Sequence, residues 1–158
     1  MPYTIRKAKE ADYEAICRLE EELNSLHYKA IPETYRKPLR HAIRRGWFIS
    51  SLEDKKDLYL IAEDKGTIIG FVSAEIEEED QDRFSKKYRR LSIDEIYVSP
   101  DRQGQGIGTA LLEKTEEWGK TKKTTHTVAV IYAFNEESLD FFKKRGYDPY
   151  SIRVRKMA

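Results

Sequence analysis

The chain is poor in the residues that build metal centres and covalent staples. It has one cysteine, Cys17, and three histidines, His27, His41 and His126, set far apart. One cysteine closes no intramolecular disulfide and makes no cysteine-based metal site, and the histidine spacings fit no zinc-ligand pattern. No metal is expected. Also missing is any apolar run near the roughly eighteen residues that a membrane span requires. The opening MPYTIRKAKEADYE carries charge where an export signal needs an apolar stretch. No membrane partner and a cytoplasmic location are therefore expected. An excess of one charge sign is lacking too: 29 basic against 28 acidic residues leave +1. General attraction to a phosphate backbone is not built in, and no nucleic-acid partner is expected. Repeats, low-complexity tracts and linkers are absent.

What remains suits a densely charged globular protein. At 158 residues, 39% apolar and 36% charged, the chain is expected to form one domain over residues 1–158. Thr4 to Lys7 reads as an opening strand. From Asp12 the period turns helical, with Ile16, Leu19, Leu23 and Leu26 on one stripe and Glu14, Arg18, Glu20 and Glu21 facing elsewhere. Cys17 beside that stripe reads as a small core residue. Pro32 opens a second expected helix running to about Arg45, with Gly46 as its stop.

Leu58 to Glu63 and Thr67 to Glu77 form a hairpin across Asp64-Lys65-Gly66. The charged stretch Glu77 to Arg90 is expected as a solvated loop. Leu91 to Val98 is the next strand, followed by a helix from about Gly106 to Lys120 with Ile107, Ala110, Leu111, Lys114 and Trp118 on one side. Thr125 to Phe134 reads as a buried strand, Asn135 to Arg145 as a helix, and Ser151 to Lys156 as a last strand. The order β-α-α-β-β-β-α-β-α-β predicts an α/β (α+β) fold, a mixed central sheet with helices on both faces.

The informative segment runs from Ile93 to Leu112. A strand ending at Val98 leads into a loop with alternate glycines, Gly104, Gly106 and Gly108, which opens a helix. Glycines let backbone amides approach a ligand, and free N–H groups with the helix dipole favour an anion such as a diphosphate. The pattern is G-x-G-x-G, so it misses the G-x-G-x-x-G dinucleotide fingerprint, and no Gly-Lys-Ser or Gly-Lys-Thr completes a P-loop. On the loop alone, a tight strand-to-helix turn with no ligand stays open as an alternative.

On these residues the sequence resembles the Gcn5-related N-acetyltransferase (GNAT) family. Its phosphate signature, Gln or Arg, two residues, Gly, one residue, then Gly or Ala, is filled by Gln103, Gly106 and Gly108, after a strand ending in Val98-x-Pro100. Asn135 to Tyr147 is similar to the family's N-x-x-[AS]-x-x-F-Y-x-x-x-G-F pattern. The same residues serve capping alone: Asn135 as N-cap, Glu136 and Glu137 against the dipole, Gly146 as stop. The opening T-I-R-x-A is similar as well, and residues 27–57 match only loosely.

The resemblance implies an N-acetyltransferase that moves acetyl from acetyl-CoA to a primary amine by direct attack in a ternary complex. Its diphosphate would lie at Gln103, Gly104, Gln105, Gly106, Ile107, Gly108 and Thr109. The backbone of Ile96, Tyr97 and Val98 would polarise the carbonyl where two strands splay, and Asn135 and Phe142 would line the coenzyme. An alkylamine of pKa about 10 needs a base or a desolvating pocket. A carboxylate in the register of Asp94, as in polyamine acetyltransferases, makes Asp94 the first candidate base and Glu95 the second. Period two sends Ser92, Asp94, Ile96 and Val98 to one side and Ile93, Glu95 and Tyr97 to the other, so the two acids are expected to point apart.

Phe142 departs from the family, many of whose members carry a tyrosine there as acid for the leaving thiolate. Tyr132, Tyr147, Tyr97 or water are the substitutes open at this point. The resemblance to diamine acetyltransferases favours a small polycationic amine as acceptor, which Glu75, Glu77, Glu78, Glu79, Asp80 and Asp82 would attract; peptide N-termini, lysine side chains, amino acids and aminoglycosides stay open. Two alternatives stand beside it: a CoA-binding sensor or degenerate scaffold without turnover, and a peptide or protein N-acetyltransferase. The resemblance also favours a homodimer.

Overall fold

A computed structural model describes residues 2–79 and 83–158. The strands are β1 (Thr4–Lys7), β2 (Asp57–Asp64), β3 (Thr67–Glu79), β4 (Tyr88–Val98) and β5 (His126–Ala129). The helices are α1 (Tyr13–Ala30), α2 (Arg45–Glu53), α3 (Ile107–Thr121) and α4 (Glu136–Lys143). The sheet runs β1-β2-β3-β4-β5 in sequence order, antiparallel throughout except for the parallel pair β4–β5. It is the mixed sheet expected.

Strand alternation divides the core in two. Leu58, Leu60, Ala62, Val72, Leu91 and Ile93 face α3 and Phe142 of α4, while Tyr59, Ile61, Phe71 and Tyr97 face α1 and α2. Helices therefore cover both faces, as the pattern requires. Leu91 and Leu111 meet with no exposed surface, so Leu91→Ala would cost about 2–5 kcal/mol.

The β2–β3 turn places Lys65 and Gly66 at φ 49° and 83°, the left-handed pair that a tight hairpin needs. In α1, Ile16, Cys17, Leu19 and Leu23 are buried as expected, but Leu26 is about half exposed. Glu20, expected to face outward, is buried instead. In α3, Leu112, Thr115 and Gly119 join Ile107 and Leu111 in the buried stripe, and Lys114 is exposed.

Four expectations need correction. Residues 32–44 are not helical, and the second helix begins at Arg45, the expected end, with Gly46 in its first turn. Pro38 withholds a backbone donor inside the expected helix, whereas Phe48, wholly buried against Tyr13 and Tyr59, gives the later segment an anchor. The charged stretch from Glu77 is not all loop. Glu77 and Glu78 pair with Arg90 and Arg89 in the β3–β4 ladder, and each is also an ion pair across the strands. Asp80 and Asp82 lie outside the described residues. β5 stops at Ala129 rather than Phe134. Ser151 to Lys156 is exposed and forms no strand, so the expected last β element is absent.

Candidate active site

β4 changes phase near its middle. Ser73 of β3 pairs with Glu95 and Ala74 pairs with Ile93, leaving Asp94 without a partner in that register. Leu91 and Ile93 belong to the core under α3, and after the extra residue Ile96 and Val98 pack against the same core while Tyr97 joins the α1 side. This is a β-bulge, two residues opposite one. Its consequence corrects the uninterrupted alternation expected from sequence: Asp94 and Glu95 share the α1 face instead of pointing apart.

The parallel ladder with β5 ends at the same level, its last pair being Ile93 with Ala129. Past that point the ladder stops, and among the described residues the backbone from Asp94 to Val98 has no strand partner on the β5 side. A cleft of about 260 Å³ opens there. Asp94, Glu95 and Ile96 form one wall, Val130 to Tyr132 another, Leu23, Asn24, His27 and Tyr35 a third, and Asn135, Ser138 and Phe142 of the α4 region close it.

The acids in this cleft are perturbed. Burial pushes Glu95 up to about 7, and the neighbouring charge of Glu20 adds to it. Asp94 also rises to about 7, through the protein around it displacing water and then the charges of Glu75, Glu95, Glu77 and Asp57. Asp94 is nevertheless exposed, whereas Glu95 is half-buried. Solvent tempers the shift at Asp94, so Glu95 is the more strongly perturbed of the two.

Beyond Val98, a single 3₁₀ turn (Pro100–Arg102) carries the chain into the glycine loop. Arg102 holds that turn down by an ion pair of 2.8 Å to the buried Asp64 at the end of β2. Gln103 Nε2 donates to the Val98 carbonyl at 2.9 Å, stitching the loop to β4. Gly104 and Gly106 adopt φ of 75° and 79°, with open space where a Cβ would stand. The loop from Gln103 to Gly106 is exposed, and Ile107, Gly108 and Thr109 form the first turn of α3, whose amides have no helical acceptor.

Packing fixes that turn. A Cβ on Gly108 would meet the Phe141 ring at 3.3 Å, and Arg145, lying 3.7 Å above the same ring, donates to the Thr109 hydroxyl and the Phe141 carbonyl. A ring of free amides at a helix N-terminus is thus held open about one strand-end away from the cleft.

With that geometry in view, the comparisons with known proteins are decisive on kinship. The model of the acetyltransferase (GNAT) family matches residues 13–147. The chain belongs to the GNAT family. An uncharacterised N-acetyltransferase of Methanocaldococcus jannaschii is 28% identical over 152 residues, covering 95% of this chain, which spans 62% of that relative's length. Among solved structures, a Bacillus halodurans protein superposes with a TM-score of 0.91 at 20% identity, covering 98% and 99% of the two chains. The PaiA N-acetyltransferase of Thermoplasma acidophilum, solved with coenzyme A, gives 0.80 at 20% identity over 97% and 94%. At such identities these two speak for the GNAT fold alone.

The tyrosines of this GNAT chain sort themselves by position. Tyr147 donates to Glu116 at 2.5 Å, away from the cleft, and burial and that bond push its hydroxyl upward. Tyr97 points to Glu22 at 3.3 Å on the α1 face, and burial raises it to about 12. Tyr132 lines the cleft. Beside it stands Tyr35, pushed upward by burial, then by its bond with Tyr132 and the charge of Glu95. His27 stacks on Tyr35 with ring centres 4.8 Å apart. Asn135 Oδ1 accepts from the Ser138 amide at 3.0 Å, the capping role read from sequence. Phe142, 3% exposed, packs edge-on against Phe141 and Tyr147.

Sequence reasoning missed Asn24, His27 and Tyr35. The first two carried a signal: with Glu20 they place polar groups at helical spacing near the apolar stripe of α1. Tyr35 carried none, since it lies in the segment expected to be helical.

Proposed function

We propose that the chain is one N-acetyltransferase domain that transfers acetyl from acetyl-CoA to a primary amine by direct attack within a ternary complex. The observation that carries this reading is the coincidence of three features on β4: the end of the β5 ladder, the Asp94–Glu95 bulge, and the glycine-opened N-terminus of α3 at its far end. The open space above Gly104 and Gly106 suits a diphosphate held by backbone amides. The relatives' names and the coenzyme A complex of the Thermoplasma protein support the same donor.

In this reading, the amides of Gln103 to Thr109 hold the diphosphate and Asn135 borders the pantetheine arm. A backbone N–H among Ile96, Tyr97 and Val98 polarises the thioester carbonyl. Glu95 takes the proton of the acceptor ammonium, with Asp94 beside it as the second carboxylate; a base perturbed to about 7 is matched to neutral pH. The amine nitrogen bonds to the carbonyl carbon, the carbon–sulfur bond breaks with its electron pair on sulfur, and the nitrogen gives its second proton to solvent as the thiolate leaves. At a thiol pKa of about 8.5 it needs little acid assistance. Tyr132, the one expected substitute that borders the cleft, supplies the proton where one is given.

Thiol release on mixing acetyl-CoA with a panel of primary amines tests this directly. Amine-dependent release is expected. Tight coenzyme binding with no amine accelerating release would instead favour a coenzyme-A-binding sensor, the reading that the missing hydroxyl at Phe142 motivates.

A further inference from the structure

Beneath α1 the sheet carries two polar rows that cross three strands. One joins Asp57 on β2 to Glu75 on β3, with Asp94 of β4 alongside; the next joins Tyr59, Ser73 and Glu95 through successive register pairs. Three neighbouring strands span about 10 Å. Over the second row stands Glu20, one helical turn before the cleft-lining Leu23 and Asn24.

Glu20 is an unusual carboxylate. It is only 9% exposed, yet among the described residues no ion pair or hydrogen-bond donor meets it. Its charge acts on Glu95 and on Tyr59, so it is aimed into the trough rather than away from it. The titratable groups facing it are Cys17 on its own helix, Tyr59 on β2 and Glu95 on β4. None is basic. Among the described residues, arginines that meet this stretch of α1 are already engaged: Arg18 with Glu22, and Arg40 with Glu21. A buried carboxylate lacking a donor is costly, and an incoming cation is the partner that relieves it.

Resting on the proposed acyl transfer, we infer that Glu20 binds a second cationic nitrogen of the acceptor, so that the trough takes an elongated dication such as an α,ω-diamine. The reacting nitrogen lies at the β4–β5 splay beside Glu95, and the distal one lies under α1. The anchor is therefore a residue outside both family signatures, on the helix that faces them.

Calorimetric binding of a four-carbon α,ω-diamine and the four-carbon monoamine to the full chain separates the possibilities. At about pH 8.5, where Glu95 is ionised with or without Glu20, the diamine is expected to bind about tenfold more tightly than the monoamine, and Glu20→Gln to bring the ratio of the two affinities to about one. Equal affinities in the unaltered protein, or a preference that survives Glu20→Gln, would overturn the inference. Should Glu20→Gln fail to fold, Glu75→Gln at an exposed position of the first row carries the test, with a reduced preference expected and an unchanged one fatal. A Glu20-dependent preference without any thiol release would leave this inference standing and remove the acyl-transfer reading instead.

Discussion

Val98 leads into a loop that exposes its backbone, whereas Asp94 and Glu95, only a few residues earlier on the same strand, present their side chains to the cleft. The loop from Gln103 to Gly106 is exposed, and two left-handed glycines leave its amides uncovered. Its geometry is local, held by Arg102, Gln103 and the contact of Gly108 with Phe141. The bulge is non-local: it exists because β3 spends one residue where β4 spends two, and its charge state depends on Glu20 and Glu75 from other elements. In the proposed reaction the first binds through shape and the second tunes protons.

That division is open to direct attack. Glu95→Gln should lower kcat by about 10²-fold to 10⁴-fold, with coenzyme A affinity within about twofold, whereas Asp94→Asn, at the wetter position, should cost about tenfold or less. Steady-state kinetics with coenzyme titration checks both, and a larger loss at Asp94 would exchange their roles. Gly106→Val places a β-branched residue at φ 79° and should weaken coenzyme A binding about tenfold while sparing the amine KM. Phe142→Tyr restores a hydroxyl beside the cleft and should raise kcat by up to about tenfold; an unchanged kcat would mean that Tyr132 or water suffices.

Acidity supplies the finer comparison. kcat/KM should climb through about pH 7 as Glu95 loses its proton. Glu20→Gln removes a negative neighbour, so that limb should move to lower pH. Stability follows the same groups. Carboxylates whose folded pKa is raised bind more protons in the native state, so the protein is most stable below their unfolded values and loses stability as pH rises from about 4 to about 7. At pH 8 the buried Glu20 is charged and without a donor, and Glu20→Gln should raise the melting temperature by about 2–4 °C. A scan of Tm against pH on both proteins measures it.

The loop and α4 were legible in the sequence because their determinants are neighbours along the chain: glycines before a helix, Asn135 capping the Ser138 amide, and Gly146 at φ 84° after the last turn. The hairpin turn at Lys65-Gly66 was legible for the same reason. Period two could not reveal the bulge, since nothing in Ile93-Asp94-Glu95-Ile96 marks which residue lacks a partner on β3. Nor could it place Tyr35, whose position follows from packing against His27 and Tyr132 rather than from any local preference. The opposite charges near Glu77 and Arg90 suggested solvent when read one strand at a time; they become a ladder only once the strands are paired.

Were β4 to alternate strictly through Asp94, with Leu91 and Ile93 still seated under α3, each residue from Glu95 onward would exchange faces. Glu95 and Tyr97 would turn toward α3, Ile96 and Val98 toward α1, and the glycine loop would leave the sheet from the opposite side. One surplus residue thus acts as a phase shifter, letting a single strand build an apolar wall in its first half and aim both the acid-lined cleft and the glycine loop from its second.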